Sequence, residues 1–360
     1  MYTQKSNMND EDLKILADKI KVWGLELGFQ QVGITNTDLD KDAEYLRQWL
    51  KNNYHGDMDY MSKNADLRAN PQKLFPSTLS VISLSMNYLP PDVETVKLLD
   101  HPNLAYISRY AVGRDYHKLI RKRIKKLSEK IIQYGFEKSF RPFVDSAPVL
   151  ERALAQKSGL GWIGKNTMLL NTSKGSWFFI GELFTSLKLP VDEPMHKNHC
   201  GSCTACLDIC PTKAFIGPNQ LDARKCISYL TIEHKGSIPA YLRKKIGNRV
   251  FGCDDCQLIC PWNKFAQPTD EKEFSPRYNL DKIKLIDLFS WTLDEFNKKT
   301  LGSPIKRIGY ERWLRNLAVG LGNGEKNSNI IDILKSRLGF SNLVDDHIKW
   351  AIKSQRNEIN

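Results

Sequence analysis

The chain has 360 residues, of which 41% are hydrophobic and 26% are charged. This composition is typical of a globular protein with a large core, and it excludes disorder and low complexity. Its apolar stretches, such as residues 177–180, are far shorter than the roughly 18 residues that a membrane span needs. Lysine and arginine number 53 against 41 acidic residues, a net charge of +12. That excess favours a polyanionic partner, most often nucleic acid, over a basic surface that is only solvated.

The N-terminal residues 1–10 are polar, with neither an apolar core nor an arginine pair. We therefore expect no secretion signal, no membrane partner and a cytoplasmic location. At about 150 residues per domain, the length predicts two or three domains.

Helices and strands are both predicted in the N-terminal half, which indicates a mixed α/β region. Apolar residues three and four positions apart predict helices over residues 13–27 and 120–131, and Gly28 is a plausible end for the first. Continuous apolar runs predict strands over residues 79–86 and 177–187. The other face of the second helix is basic, and it either contacts phosphate or is solvated.

The C-terminal part is predicted to be helical. Residues 188–199 have the composition of a linker. Residues 312–321 and 330–338 are expected to form paired short helices around a Gly-Asn turn at 322–323. This pair resembles one helical hairpin repeat, and residues 348–352 would begin another.

All eight cysteines lie between residues 200 and 260. A disulfide framework would spread cysteines over a small secreted chain, so this clustering favours a metal site. The first set, Cys200-x2-Cys203-x2-Cys206-x3-Cys210-Pro211, has the spacing of a bacterial ferredoxin. In such a run the first three thiolates bind one 4Fe-4S cluster, and the fourth binds the other.

A second set repeats the end of this pattern. Cys253-x2-Cys256-x3-Cys260-Pro261 contains its last three cysteines, and Cys226 is left to replace the missing first member. The alternative is a pair of structural zinc sites, which favour separated C-x2-C pairs and do not require C-x3-C-P. We predict two 4Fe-4S clusters that conduct electrons. One is bound by Cys200, Cys203, Cys206 and Cys260, and the other by Cys210, Cys226, Cys253 and Cys256.

Three glycines, Gly159, Gly161 and Gly164, match the motif G-x-G-x-x-G. A dinucleotide site needs a strand before this motif and a helix after it. Here a helix with Pro148 in its first turn runs to Ser158 before the motif, with Gly159 as its C-cap, and a strand-like segment follows. We therefore reject a nicotinamide site and expect the glycines to let the backbone approach another flat or bulky ligand.

Asp145 ends a short apolar strand and precedes that helix. A carboxyl group there can face a pocket and act as a general acid if burial raises its pKa. It can also be a helix N-cap, which is common for aspartate and is favoured by these residues alone. His117, in Asp115-x-His117, lacks the glycine of a cobalt-binding D-x-H-x-x-G motif, so we expect a structural role for it.

The chain resembles the epoxyqueuosine reductases over nearly its whole length. These are cobalamin-dependent iron–sulfur enzymes that complete queuosine in tRNA. The resemblance rests on both cysteine sets and on the segments Ser108-Arg-Tyr-Ala-Val-Gly-Arg-Asp-Tyr-His117, Val144-Asp145-Ser-Ala-Pro-Val-Leu-Glu151-Arg152, Gly159-Leu-Gly-Trp-Ile-Gly-Lys-Asn166-Thr, Cys226-Ile-Ser228-Tyr-Leu-Thr and Arg315-Asn-Leu-Ala-Val-Gly-Leu-Gly-Asn323.

The resemblance implies an α+β fold in three parts. They are a mixed α/β cobalamin-binding catalytic domain (1–190), a bacterial ferredoxin-like domain with two clusters (191–270) and a short α-helical HEAT-like region that binds tRNA (271–360). It also implies that Asp145 is the proton donor and that cobalamin binds base-off, without a histidine ligand. The cobalamin contacts implied by motif position are Arg68, Ser108, Asp145, Glu151, Asn166, Leu169, Ile180 and Ser228.

The implied reaction reduces epoxyqueuosine to queuosine at the wobble position of a tRNA anticodon. The chain would act as a monomer with an external electron donor, and Lys235 matches a tRNA-contacting position. Further candidates for phosphate contacts are Arg243, Lys244, Lys245, Arg312 and Arg315.

Three other interpretations of the function of this chain are open. A reductive dehalogenase-like cobalamin enzyme usually carries an export signal, which the polar residues 1–10 do not match. A non-enzymatic iron–sulfur electron carrier leaves the residues before Cys200 without a role. A nucleic-acid-binding protein with structural clusters explains the charge and the cysteines but needs no cobalamin.

Overall fold

The computed structural model describes residues 9–91, 94–136, 138–195 and 197–358. The helices are α1 (Asp10–Glu26), α2 (Asp40–Lys51), α3 (Asp59–Lys63), α4 (Ala65–Ala69), α5 (Pro71–Leu74), α6 (Thr95–Asp100), α7 (Tyr116–Gln133), α8 (Glu151–Lys157), α9 (Ala205–Ile209), α10 (Ile227–Ile232), α11 (Ala240–Ile246), α12 (Asp255–Leu258), α13 (Leu285–Ser290), α14 (Leu293–Lys299), α15 (Gly309–Asn323), α16 (Ser328–Lys335) and α17 (Asn342–Gln355). The strands are β1 (Gln31–Thr35), β2 (Ser80–Asn87), β3 (Tyr106–Ile107), β4 (Phe140–Val144), β5 (Trp162–Ile163), β6 (Leu169–Leu170), β7 (Phe178–Thr185), β8 (Phe215–Gly217), β9 (Gln220–Leu221) and β10 (Arg249–Phe251). Within these ranges, no helix has the length and apolarity to cross a membrane.

A four-stranded antiparallel sheet, in the order β1-β2-β7-β4, forms the centre of the N-terminal region. Side chains of β7 alternate between its two faces, as the two-residue period of a strand requires. Phe179 and Leu183 join the core beneath α1 and α7, whereas Ile180 and Phe184 pack on the side covered by α8. Because helices cover both faces, β2 and β7 are almost completely buried. They confirm the two predicted strands.

Helices α1 and α7 confirm the two helices predicted from apolar periodicity. Helix α1 begins with a capping box in which Asn9 accepts from the amide of Asp12 (2.8 Å), and Gly28 follows its end with a φ of +85°. Helix α7 packs on β7 at Gly181, where an added side chain would come within 2.7 Å of Ile124. A glycine is therefore needed to bring this helix close to the sheet.

Helices α13–α17 share one hydrophobic core with two short strands. This core includes Ile107 of β3, Phe251 of β10, Leu317 of α15 and Ile348 of α17. Strands β3 and β10 pair in parallel, so segments from all three predicted domains meet here. The domain boundaries themselves remain a prediction.

The predicted helical pair near the C-terminus is present as α15 and α16, and α17 covers the third predicted segment. The predicted Gly-Asn turn is wrong, because α15 continues through Gly322 to Asn323. An added side chain on Gly322 would lie 2.9 Å from the Cα of Ala351 in α17. This glycine therefore allows two helices to pack closely and does not form a turn.

Residues 188–195 and 197–199 contain no helix or strand, which fits the predicted linker. The segment is nevertheless fixed at Asp192. Its amide donates to the carbonyl of Ile34 (2.8 Å), and its carboxylate accepts from the amide of Ile34 (2.8 Å) and from Lys21 (2.5 Å). The linker therefore runs along β1 in one defined position.

Candidate active site and cluster region

Asp145 lies in the turn after β4, and its carboxyl group contacts two side chains. Tyr116 Oη donates to Oδ2, and Nε2 of His117 is hydrogen-bonded to Oδ1. The Asp145 side chain is 41% exposed and is therefore accessible to a large substrate. Helix α8 begins only at Glu151, and its N-cap is Leu150 without a side-chain hydrogen bond. The interpretation of Asp145 as a helix N-cap is therefore wrong.

His117 connects Asp145 to a second carboxylate. Its Nδ1 lies 2.6 Å from Oδ1 of Asp115, which also accepts the amide of His117 (2.9 Å) as the N-cap of α7. The imidazole stacks on Tyr116, which in turn stacks on Phe179. Burial opposes charge on the imidazole, but hydrogen bonds to Asp115 and Asp145 outweigh it and raise the pKa of His117 to about 9. The structural role expected for His117 stays a prediction, and the structure adds its contact with the predicted acid.

Two predicted cobalamin contacts, Arg68 and Glu151, lie near Asp145. Arg68 is buried, and its Nη1 donates to the carbonyl of Val149 (3.4 Å). Burial and, second, the charge of Asp145 raise the pKa of Glu151 to about 8. Within the described ranges, Arg68 Nε and Glu151 Oε2 are buried without a hydrogen-bond partner. Because buried polar groups normally have partners, these atoms are suited to bind a polar ligand.

Leu169 and Ile180 share one apolar cluster on the α8 side of the sheet. The same face holds an acid that the sequence interpretation missed. Glu182 is fully buried two residues beyond Ile180, directly opposite Ser83 of β2. Burial and, second, the charge of Glu151 hold the pKa of Glu182 well above its usual value. Its only sequence signal is a single acid within the predicted apolar strand 177–187.

The carboxyl oxygens of Glu182 and the hydroxyl of Ser83 have no hydrogen-bond partner among the described residues. Together with Arg68 and Glu151, they give this side of the sheet several unpaired polar atoms beside an apolar cluster. Cobalamin combines a flat macrocycle with many polar amide groups, so this combination of residues fits it.

The other three predicted cobalamin contacts lie against the cysteine segments. Ser108 Oγ donates to Asp254 (2.5 Å), and Asn166 Nδ2 donates to the carbonyl of Cys256 (3.0 Å). Ser228 is in the first turn of α10, and its backbone amide points to the thiol of Cys226. Each of these three residues is therefore next to a cysteine predicted to bind the second cluster.

The four cysteines predicted for the first cluster line a single cavity beside Trp262. They come from two segments, since Cys200, Cys203 and Cys206 precede α10 and Cys260 follows α12. Four thiols around one cavity are the ligand set that a 4Fe-4S cluster uses. The indole of Trp162 donates to Cys200 (3.5 Å).

The cysteines predicted for the second cluster are also close to one another. Burial raises the pKa of Cys226 and of Cys256, and the charge of Cys210 adds to the rise at both. Burial likewise raises the pKa of Cys253, with a further contribution from Cys226. Bound iron would reverse this effect, because a metal ion stabilises the thiolate. The chemistry of this set therefore fits a cluster.

In the part of the chain that the structure describes, no group of three or more His, Cys, Asp or Glu residues is placed to hold a single metal ion.

Lys235 is exposed in the loop after α10, on a fixed backbone. Its amide donates to Asp57 (3.1 Å), and the neighbouring carbonyls of His234 and Gly236 both accept from Arg315 (2.8 Å each). The lysine side chain is thus presented at a defined position on the surface.

Two of the other candidates for phosphate contacts are wrong. Arg243 and Arg315 are 4% and 0% exposed, and both are occupied inside the protein. Arg243 donates to Asp346 (2.5 Å). A third candidate, Arg312, also has partners within the protein, because it donates to three backbone carbonyls. Residues 244–245 remain exposed on α11.

At each of the three glycines of the G-x-G-x-x-G motif, an added side chain would clash with another part of the protein. An added side chain on Gly161 would lie 2.1 Å from the carbonyl of Leu170, and one on Gly164 would lie 2.4 Å from the Leu170 side chain. Gly159 has a φ of +80° just after α8. Gly161 and Gly164 therefore allow the β5–β6 hairpin to form, and the expected approach of this backbone to a ligand stays a prediction.

Two family models match the chain. The model described as "Epoxyqueuosine reductase QueG, DUF1730" matches residues 68–146, and the "4Fe-4S double cluster binding domain" matches residues 199–263. The epoxyqueuosine reductase of Pseudomonas aeruginosa is 57% identical over 348 residues, which are 96% of each chain. That of Escherichia coli K12 is 56% identical over 344 residues, which are 96% of this chain and 90% of the relative.

Solved structures of epoxyqueuosine reductases also match this chain. An epoxyqueuosine reductase with a tRNA-Tyr epoxyqueuosine-modified stem loop has a TM-score of 0.86 and 28% identity, with 95% of this chain and 90% of that chain covered. The Bacillus subtilis enzyme with its catalytic aspartate loop swung out of the active site has a TM-score of 0.83 and 27% identity, with the same coverage.

Fold and cysteine pattern together define a mixed α/β protein with a double 4Fe-4S cluster-binding domain. The identity above 50% extends beyond that domain to nearly the full length. The chain belongs to the epoxyqueuosine reductase family.

The buried acid Glu182 makes a testable contribution to stability. Because its pKa is raised, the folded protein keeps a proton that the unfolded chain releases above about pH 4.5. Stability should therefore fall as the pH rises, by at most about 1.4 kcal/mol per unit. Glutamine does not titrate, so the stability of Glu182→Gln should decline less between pH 5.5 and pH 8 than the stability of the wild type.

The measurement is the anaerobic thermal midpoint of both proteins at the two pH values. Glu129→Gln on the exposed face of α7 is the control and should follow the wild type. Equal pH dependence in all three proteins would contradict the raised pKa of Glu182.

Proposed function

We propose that this chain reduces epoxyqueuosine to queuosine in the anticodon loop of tRNA, at the wobble position. The observation that carries the proposal is the position of Asp145, an accessible carboxyl group next to buried, unpaired polar atoms of Arg68 and Glu151. This arrangement lies in a chain that is 57% identical to an epoxyqueuosine reductase over 96% of its length.

The reaction removes the epoxide oxygen and leaves an alkene. It consumes two electrons and two protons and releases water. Breaking a carbon–oxygen bond without a proton would expel an alkoxide, which is a poor leaving group, so an acid is needed at the oxygen. Asp145 fills this role in the proposal, because it is accessible from outside while Tyr116 and His117 hold its orientation.

Cobalamin would supply the strongly reducing centre that the reaction requires. The proposed contacts are the residues expected from the motifs, with the unpaired atoms of Arg68 and Glu151 binding polar groups and with Leu169 and Ile180 forming an apolar wall. Ser108, Asn166 and Ser228 would hold the side that faces the second cluster.

Electrons would pass through the two clusters, one at a time. An external donor would deliver them at the first cluster, because Cys203 is the exposed cysteine of the set. The second cluster would hand them on, since Asn166 and Ser108 join its cysteine segment to the proposed cobalamin site.

The tRNA would lie over Lys235 and the exposed lysines 244–245 of α11. The charge of +12 supports this proposal, because stem and loop phosphates are polyanionic. Helices α13–α17 correspond to the proposed HEAT-like region (271–360), and the boundaries at 190 and 270 belong to the same proposal. The chain would act as a cytoplasmic monomer.

Anaerobic turnover tests the proposal. Purified protein with both clusters, cobalamin, a reductant and epoxyqueuosine-bearing tRNA should yield queuosine, measured by mass spectrometry of the nucleosides. Protein that contains cobalt and clusters but leaves epoxyqueuosine unchanged would contradict it, and cobalt-free protein would favour an electron carrier.

Asp145→Asn should lower turnover at least about 100-fold, because a general acid typically contributes that factor or more. The amide has a similar shape but no acidic proton, so cobalamin absorbance and iron content should stay the same. Asp66→Asn, which changes an exposed carboxylate on α4, is the control and should keep full activity. Wild-type turnover in Asp145→Asn would remove Asp145 from the mechanism.

Lys235→Ala should weaken binding of the tRNA stem-loop and make it less sensitive to salt. Each phosphate contact contributes roughly 0.7 to 0.9 to the slope of log affinity against log salt concentration, so the slope should fall by about that amount. The measurement is fluorescence anisotropy at several salt concentrations. Lys14→Ala, on the exposed face of α1, is the control. An unchanged slope in Lys235→Ala would exclude a phosphate contact there.

A further inference from the structure

The carboxyl group of Asp145 sits at the end of a chain of hydrogen bonds. Asp115 accepts the backbone amide at the start of α7 and contacts His117 Nδ1 (2.6 Å), while His117 Nε2 contacts Asp145. Burial opposes charge on Asp115, but hydrogen bonds from His117 outweigh it and lower the pKa of Asp115. Asp115 is therefore an ionised carboxylate that can only accept hydrogen bonds, so Nδ1 of the imidazole carries a proton. One imidazole thus bridges two carboxyl groups in the order Asp115–His117–Asp145.

Tyr116 has a different role from His117. Its hydroxyl donates to the other oxygen of Asp145, and burial, followed by the charge of Asp145, holds the pKa of Tyr116 well above its usual value of 10.0. Tyr116 therefore keeps its proton and orients Asp145. The proton that can move lies between Nε2 of His117 and Oδ1 of Asp145.

We propose that His117 is the proton store of the active site and that it recharges Asp145 within each catalytic cycle. The inference rests on the proposed function, because removal of an epoxide oxygen as water takes two protons whereas Asp145 can hold only one. The Nε2–H bond of His117 breaks and a proton passes to Oδ1 of Asp145, which gives it to the oxygen as the first carbon–oxygen bond breaks. His117 then takes up a proton from solvent and passes it to Asp145 in the same way, and Asp145 delivers it as the second carbon–oxygen bond breaks and water leaves.

The position of His117 suits this role. Its side chain is 27% exposed, so the neutral imidazole that is left behind can take up a proton from solvent. Asp115 stabilises the imidazolium and fixes the ring. The two electrons of the cycle come from the reductant of the proposed reaction, and no other reactant is needed.

The pH dependence follows from the groups around the ring. These groups are Asp115, Tyr116 and Lys118 from α7, Asp145 from the turn after β4 and Glu151 from α8. His117 is charged below its pKa of about 9, so turnover should fall as the pH rises through that value. The loss should follow the protonated fraction of one group.

His117→Gln tests the proposal, because the glutamine amide can still donate to Asp145 but cannot store a proton. We expect turnover at pH 7 to fall about 100-fold, the lower end of what a general acid contributes, and the decline through pH 9 to disappear. Tyr116→Phe should be slower than wild type but keep the decline. Cobalamin absorbance and iron content should be unchanged in both, and His117→Asn is the second variant if glutamine disturbs folding.

A second readout does not depend on turnover. Deuterium exchange at Cε1 of His117, followed by mass spectrometry of its peptide, reports the protonation of the imidazole in the cluster-containing protein. Asp145→Asn should shift the midpoint for His117 downward, because a neighbouring carboxylate is lost, and should leave the exposed His101 unchanged.

The proposal is overturned if His117→Gln turns over within twofold of wild type with the same pH profile, or if Asp145→Asn leaves the His117 midpoint in place. Deoxygenation by the wild type would still support the proposed function in both cases. If the wild type does not deoxygenate the substrate, the proposed function fails whatever the exchange data show.

Discussion

The arrangement of the molecule depends on one buried carboxylate, Asp254, between two cysteines of the second predicted cluster. It accepts from Tyr106 Oη (2.7 Å), from Ser108 Oγ (2.5 Å) and from the amide of Arg109 (2.8 Å). A buried charge is expensive unless hydrogen bonds satisfy it, and three donors do so here. The contact attaches the cysteine segment to the half of the chain that carries the acid, at the point where β3 and β10 pair. In the proposed function, this contact would fix the position of the second cluster relative to the N-terminal region that carries Asp145.

Near Asp145 and within strands β2 and β7, the protein leaves several buried polar atoms unpaired. Arg68, Glu151, Ser83 and Glu182 all contribute such atoms, within the residues that the structure describes. Each one costs free energy in the protein alone, since a buried polar group normally has a partner. Proteins tolerate such costs mainly at functional sites, where a ligand supplies the missing partners. The unpaired atoms and the apolar cluster at Leu169 together favour a large ligand with polar edges.

The sequence predicts the elements whose signals are local. Apolar periodicity locates α1 and α7, apolar runs locate β2 and β7, and cysteine spacing indicates the clusters. Features that depend on tertiary contacts are missed. The link between His117 and Asp145 arises only when the start of α7 meets the turn after β4, and nothing in either segment shows it. The sequence likewise suggests that Arg315 is a surface charge, but in the structure its side chain is buried and donates to three backbone carbonyls.

Removal of the epoxide oxygen by this chain would complete queuosine in tRNA. The most direct measurement is nucleoside mass spectrometry of tRNA from an Escherichia coli strain that lacks its own epoxyqueuosine reductase and expresses this chain in medium with cobalamin. We expect queuosine to be restored by the wild-type chain, and epoxyqueuosine to persist with Asp145→Asn. If epoxyqueuosine persists while the wild-type protein is present with both clusters and cobalamin, the claim is contradicted.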